Sequence, residues 1–133
     1  MKKLAGELDL EQKIKDAIVE MPNLYGNYKE VLIEAEKLSL NEKMRSSLED
    51  LREVCEIVED FGYGEYISVD LGLINHLDYY TGVVFKGYMA CHGEMILSGG
   101  RYDDLTESYG KSIPATGFAI NVDELLSGIE KQS

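Results

Sequence analysis

The chain has 133 residues, 44% hydrophobic and 29% charged, enough to bury a core without a disulfide or metal staple. Asp and Glu number 25 against 13 Lys and Arg, a net charge of −12 that repels phosphate backbones and argues against nucleic-acid binding. No apolar run approaches the ~18 residues of a membrane span, and no apolar core follows Lys2 and Lys3 as a secretory signal requires. The two cysteines, Cys55 and Cys91, form no CxxC pair and are read as small buried hydrophobes in a reducing, cytoplasmic setting.

The character of the chain changes near Gly62-Tyr63-Gly64. Residues 66–133 hold 9 of the 13 glycines and 8 of the 12 aromatics, so 1–65 reads as a helical segment and 66–133 as strands with glycine turns. Leu10, Ile14, Ala17, Ile18 and Met21 recur at helical spacing, with Asp9 as the expected cap and Pro22 as the stop. A second helix is predicted from about Tyr28, with Val31, Leu32, Ala35 and Leu38 inward. Ser39-Leu40-Asn41-Glu42 has the spacing of a capping box and starts the longest helix. Its stripe is Met44, Leu48, Leu51, Val54/Cys55 and Val58.

In the second half, Ile67, Val69, Leu71 and Leu73 alternate with polar or small residues, which predicts a strand with one buried face. A second strand is expected at Val83–Tyr88, paired antiparallel with the first, and a third at Glu94–Ser98, broken by Gly99-Gly100. Asp103 to Tyr109 reads as a short helix, Ala115–Ile120 as a strand opened by Pro114, and Asp123 to Ile129 as a closing helix. The fold class is α+β, with a mainly antiparallel sheet.

Several familiar chemistries fail on spacing. Gly110-Lys111-Ser112 lacks the phosphate-loop glycine five positions earlier, where Leu105 stands. Cys91-His92 has no second ligand pair, so no metal is expected. What remains is the cluster Leu77–Gly82 and the loop Ser98–Asp104, both at strand ends. Tyr80 and Tyr102 offer hydroxyls and ring faces to a small polar ligand, and Gly99 and Gly100 offer close backbone approach. The competing reading is half-buried packing and an ordinary turn. Residues 66–133 carry only Lys86, Arg101, Lys111 and Lys131 as cations, a poor supply for chemistry on ATP phosphates.

Three segments resemble a known family. Asn75-His76-Leu77-Asp78-Tyr79-Tyr80-Thr81-Gly82-Val83-Val84-Phe85 resembles the histidine-binding motif of histidyl-tRNA synthetases. Ser98-Gly99-Gly100-Arg101-Tyr102-Asp103-Asp104-Leu105 is similar to that family's second histidine-pocket element, and Pro114–Ile120 to motif 3 of class II synthetases. The helical first half, including Met21–Gly26, is similar to the segment that precedes these motifs in the paralogues that regulate ATP phosphoribosyltransferase.

Two departures choose between the branches. Asn75 stands at the start of the first motif, where synthetases carry an arginine that serves activation. Glu124, with Asn121 before it, stands where motif 3 carries an arginine that grips ATP phosphates, and a carboxylate there would repel them. The resemblance therefore implies the non-catalytic, regulatory branch in histidine biosynthesis. It implies no cofactor, and as partners the catalytic subunit of ATP phosphoribosyltransferase and histidine.

In that reading Tyr80 hydrogen-bonds the imidazole of histidine, Tyr102 shapes the pocket, and Gly99 and Gly100 give access. Asp78 orients the turn, Arg101 pairs with a nearby carboxylate, and His76 and His92 are packed or exposed. Nothing here resembles motifs 1 and 2, so the chain is expected to be the C-terminal part of the catalytic-like domain. Weak or no histidine binding by this chain, because half the pocket is missing, and self-association through uncovered strand edges are expected consequences. The alternatives are a fragment of a synthetase catalytic domain and an interaction module whose tyrosines only pack.

Overall fold

The computed structural model describes residues 2–74 and 79–132. The chain divides into two compact units, Met1–Ile74 and Asn75–Ser133. The division falls after the composition change at 65/66, because residues 69–70 pair with 25–26 and so join the helices.

The first unit contains α1 (Lys2–Glu20), a 3₁₀ turn at Met21–Asn23, β1 (Tyr25–Gly26), α2 (Tyr28–Leu38), α3 (Glu42–Asp60) and β2 (Val69–Asp70). Asp9 is not a cap: helix α1 already runs through it, and its carboxylate pairs with Lys13 one turn later at 3.0 Å. The helix stops before Pro22, as the restriction on Met21 requires. Ala17 is buried, whereas Leu10, Ile14 and Ile18 of the same stripe are exposed.

Helix α2 has the predicted span. Asn27 caps it by accepting from the Lys29 N–H at 3.0 Å. Helix α3 is capped by Asn41 rather than by Ser39: Asn41 Oδ1 accepts from the Met44 N–H at 2.9 Å. Ser39 instead closes α2, donating its hydroxyl to the Ala35 carbonyl at 3.1 Å. Short polar side chains serve either end of a helix, and here two candidates stand two residues apart.

Tyr28, Val31, Leu32, Ala35, Leu48, Cys55 and Val69 form the buried cluster between α2, α3 and β2. Burial pushes the Cys55 thiol up, which suits an inert core residue. At the edge of this cluster the Tyr28 hydroxyl donates to the Glu59 carboxylate, and Lys29 pairs with the same group at 2.9 Å. The Tyr28 hydrogen bond, then Lys29, hold the Glu59 carboxyl below its ordinary range.

The second unit contains β3 (Val84–Met89), β4 (His92–Tyr102), a 3₁₀ turn at Glu107–Tyr109, β5 (Ala115–Ile120) and α4 (Val122–Gln132). Among the described residues the strands form an antiparallel sheet in the order β3-β4-β5. Four expectations are corrected here. The 67–73 segment does not pair with β3: only Val69–Asp70 is strand, and its partner is β1. Gly99-Gly100 does not break the third strand, since both residues pair on both sides within β4. The helix expected over 103–109 shrinks to the turn at its end, and Cys91 is exposed rather than buried. Helix α4 packs against β4, with Gly128 beside Met89 and His92. No helix of the described residues is long and apolar enough to cross a membrane.

Two outcomes follow from the core. Leu32 is fully covered, so Leu32→Ala should cost about 2–5 kcal/mol in urea unfolding. Glu59 has a lowered pKa in the folded chain, so its contribution is present above the unfolded carboxyl range and is lost as pH falls through the folded value. Urea unfolding of Glu59→Gln across the acid limb should show a flatter loss of stability than the parent.

Candidate functional site

The site is built on a pair of glycines. Across the sheet, Val84 of β3 faces Gly100 of β4, and Gly100 faces Gly117 of β5. Side chains alternate along a strand, so Gly100 and Tyr102 lie on one face and Gly99 on the other. A Cβ at Gly100 would lie 2.6 Å from Cδ1 of Tyr80, so that ring rests on bare backbone. A Cβ at Gly117 would lie 3.0 Å from the Tyr102 hydroxyl. The two glycines thus pave a floor, and two tyrosines stand on it. On the opposite face, Gly99 gives its space to Phe85 and Phe118.

Tyr79 completes a three-ring wall. Its ring centroid is 4.4 Å from that of Tyr80, tilted by 37°, and 5.8 Å from that of Tyr102 in an edge-on arrangement. The Tyr79 and Tyr80 hydroxyls share a hydrogen bond at 3.2 Å. The Tyr80 phenol is pushed above its ordinary range, first by the hydrogen bond with Tyr79, then by burial and by the charges that Tyr79 and Tyr102 would carry as phenolates. The backbone beside the wall is fixed to β4. Thr81 N–H donates to the Arg101 carbonyl and Arg101 N–H to the Val83 carbonyl, both at 3.0 Å. The Asp103 N–H donates to Thr81 Oγ1 at 3.0 Å.

The structure therefore brings Tyr80, Tyr102 and Gly100 together. It changes the part played by the glycines: the space above Gly99 and Gly100 is filled by the chain's own rings. Tyr79 belongs to the cluster and was singled out by neither spacing nor chemistry; the doubled Tyr79-Tyr80 was its signal. Arg101 pairs with the Asp103 carboxylate at 3.0 Å, as expected. Asn75, His76 and Asp78 lie outside the described residues.

Glu124 is not part of this cluster. Its carboxylate accepts from Nε2 of the buried His92 at 2.7 Å. Nδ1 of the same ring faces the Lys131 ammonium at 3.1 Å, and because an ammonium only donates, the ring proton sits on Nε2. His92 begins β4 and Tyr102 ends it, ten residues apart. Glu124 thus forms a clasp between α4 and the start of β4. Among the described residues no group of three His, Cys, Asp or Glu side chains is placed to hold a metal. The tyrosine cluster thus presents hydroxyl donors and acceptors and aromatic faces.

The histidyl-tRNA synthetase family model matches residues 1–125. The chain belongs to the histidyl-tRNA synthetase family. Within it, the chain is 45% identical to an ATP phosphoribosyltransferase regulatory subunit of Clostridium botulinum, over the whole chain and 32% of that protein. It is 48% identical to a protein of the same name from Clostridium kluyveri, over 90% of the chain and 30% of that protein. The chain thus spans about a third of the length of the curated relatives it matches.

Among solved structures, an ATP phosphoribosyltransferase regulatory subunit/histidyl-tRNA synthetase from Bacillus halodurans C superimposes with a TM-score of 0.80 at 36% identity, over 86% of this chain and 30% of that one. A histidine–tRNA ligase subunit from Alicyclobacillus acidocaldarius gives 0.59 at 31% identity, over 78% of this chain and 33% of that one. The α+β arrangement of helices and antiparallel strands is that of this synthetase-like family.

The floor makes a direct prediction. Gly100→Ala should displace the Tyr80 ring and cost about 1–3 kcal/mol, the range for inserting a methyl into a packed site. Near-ultraviolet circular dichroism and urea unfolding of the variant check it.

Proposed function

We propose that the chain is part of a non-catalytic regulatory subunit of ATP phosphoribosyltransferase and carries the histidine-sensing surface of that protein. The single observation behind this is the tyrosine wall on the Gly100–Gly117 floor, in a chain 44–48% identical to proteins named as that regulatory subunit. Tyr80 would hydrogen-bond the imidazole and Tyr102 would bound the pocket, with Gly100 setting how closely the Tyr80 ring approaches the sheet and Gly99 supporting it from the opposite face. Histidine would act by binding one state of the assembly better than the other. The catalytic subunit of the transferase is the partner, the compartment is the cytoplasm, and copies of the chain self-associate.

The domain reading of 1–65 as an insertion-like helical segment and 66–133 as part of the synthetase-like core belongs to the same proposal. So does the view of Asn75 and Glu124 as degenerate catalytic positions. For Glu124 the supporting geometry is its engagement by His92, which occupies the carboxylate.

A second reading is favoured by the name of the Alicyclobacillus neighbour, a histidine–tRNA ligase subunit. In that case the chain is part of an activating enzyme.

Histidine-dependent exchange of pyrophosphate into ATP separates the two. The full-length protein should show none, and its transferase assembly should respond to histidine. Tyr80→Phe should weaken that response about five- to tenfold, the value of one hydrogen bond to a polar ligand group. Robust exchange activity would move the assignment to the ligase.

A further inference from the structure

Tyr79 and Tyr80 are consecutive, and consecutive residues of an extended strand point to opposite faces. Here their rings stand 4.4 Å apart on the same floor, so the chain bends at Tyr79 before β3 begins. The bend is held from the other side by the Thr81–Arg101 and Asp103–Thr81 hydrogen bonds. It brings the Tyr79 ring edge-on to Tyr102, which comes from the far end of β4. Tyr79 touches the rings of both Tyr80 and Tyr102.

Tyr79 is also the most open of the three, with 37% of its surface exposed, so burial of its own ring does not explain the arrangement. Its hydroxyl is spent on Tyr80. A residue that contributes little to the core, yet contacts both rings and bonds one hydroxyl, acts on those rings rather than on stability.

We propose that Tyr79 is a positioning residue: it couples Tyr80 and Tyr102 into one unit, so that the two pocket tyrosines keep a fixed separation and Tyr80 a fixed hydroxyl orientation. This rests on the histidine-pocket reading for its ligand but not for its geometry. The consequence is selectivity. A ligand ring that fits the gap meets both tyrosines at once, and an amino acid without a polar ring meets neither. Removal of the Tyr79 hydroxyl frees the Tyr80 hydroxyl to rotate while leaving the ring stack. Removal of the whole ring also frees Tyr102.

The test uses the full-length protein that contains this chain, with carbon-13-labelled tyrosine. Tyr79→Phe and Tyr79→Leu are compared with the parent in two measurements: the pH titration of the Tyr80 ring resonances, and their shift on adding histidine. Tyr79→Phe should titrate Tyr80 at lower pH than the parent and weaken histidine about fivefold, the loss of one hydrogen bond. Tyr79→Leu should weaken it further and shift the Tyr102 resonances, with the fold intact by circular dichroism. A Tyr80 titration unchanged in Tyr79→Phe, with Tyr102 unmoved in Tyr79→Leu, overturns the coupling. If the parent shows no histidine-dependent shift at any concentration, the pocket reading fails, and the Tyr80 titration alone then decides whether Tyr79 is coupled to it.

Discussion

The second unit depends on the absence of two methyl groups. Gly100 and Gly117 face one another across β4 and β5, and each leaves a space that a tyrosine fills. A Cβ at Gly100 would collide with the Tyr80 ring, and one at Gly117 would press on the Tyr102 hydroxyl. Because the floor is backbone, it is also rigid: its hydrogen bonds belong to the sheet ladder. The wall above it is aromatic, and aromatic contacts at these separations favour offset and edge-on geometries of the kind seen between Tyr79, Tyr80 and Tyr102. The result is a surface with fixed rings and three hydroxyls in an otherwise acidic chain.

The helical unit uses other means to fix its elements. Its core is aliphatic and centred on Leu32, and the polar tie from Tyr28 and Lys29 to Glu59 joins the start of α2 to the end of α3. That tie stabilises the pair of helices only while Glu59 is ionised. The clasp of Glu124, His92 and Lys131 does the equivalent work in the second unit, joining α4 to the start of β4. In both units a carboxylate near a helix end has a structural partner.

Helices were legible where spacing and capping agreed. The α2 span was read from Val31, Leu32 and Ala35 because the helical period repeats there without competing signals. Asp9 and Ser39 misled because cap-forming residues are not unique to caps, and nothing local distinguishes Ser39 from Asn41. The alternation over 67–73 predicted a strand correctly only at Val69–Asp70, and its partner, β1, is two residues long and carries no periodicity of its own. Gly99-Gly100 reads as a turn because glycine weakens strands, yet here it continues β4, since neighbouring rings fill the missing side-chain volume. Of the site, Tyr80 and Tyr102 were legible as ring-bearing hydroxyls at strand ends. The clasp on Glu124 was not: nothing near Glu124 in the sequence announces His92, 32 residues earlier, as its partner. The regulatory reading stands on the pocket and the relatives rather than on that charge.

The most direct test is to locate bound histidine by nuclear Overhauser contacts in the full-length protein with labelled tyrosine. The account predicts contacts from the imidazole protons to the Tyr80 and Tyr102 rings, absent when alanine replaces histidine. Imidazole contacts confined to other residues, with both tyrosine rings silent at saturating histidine, would contradict it.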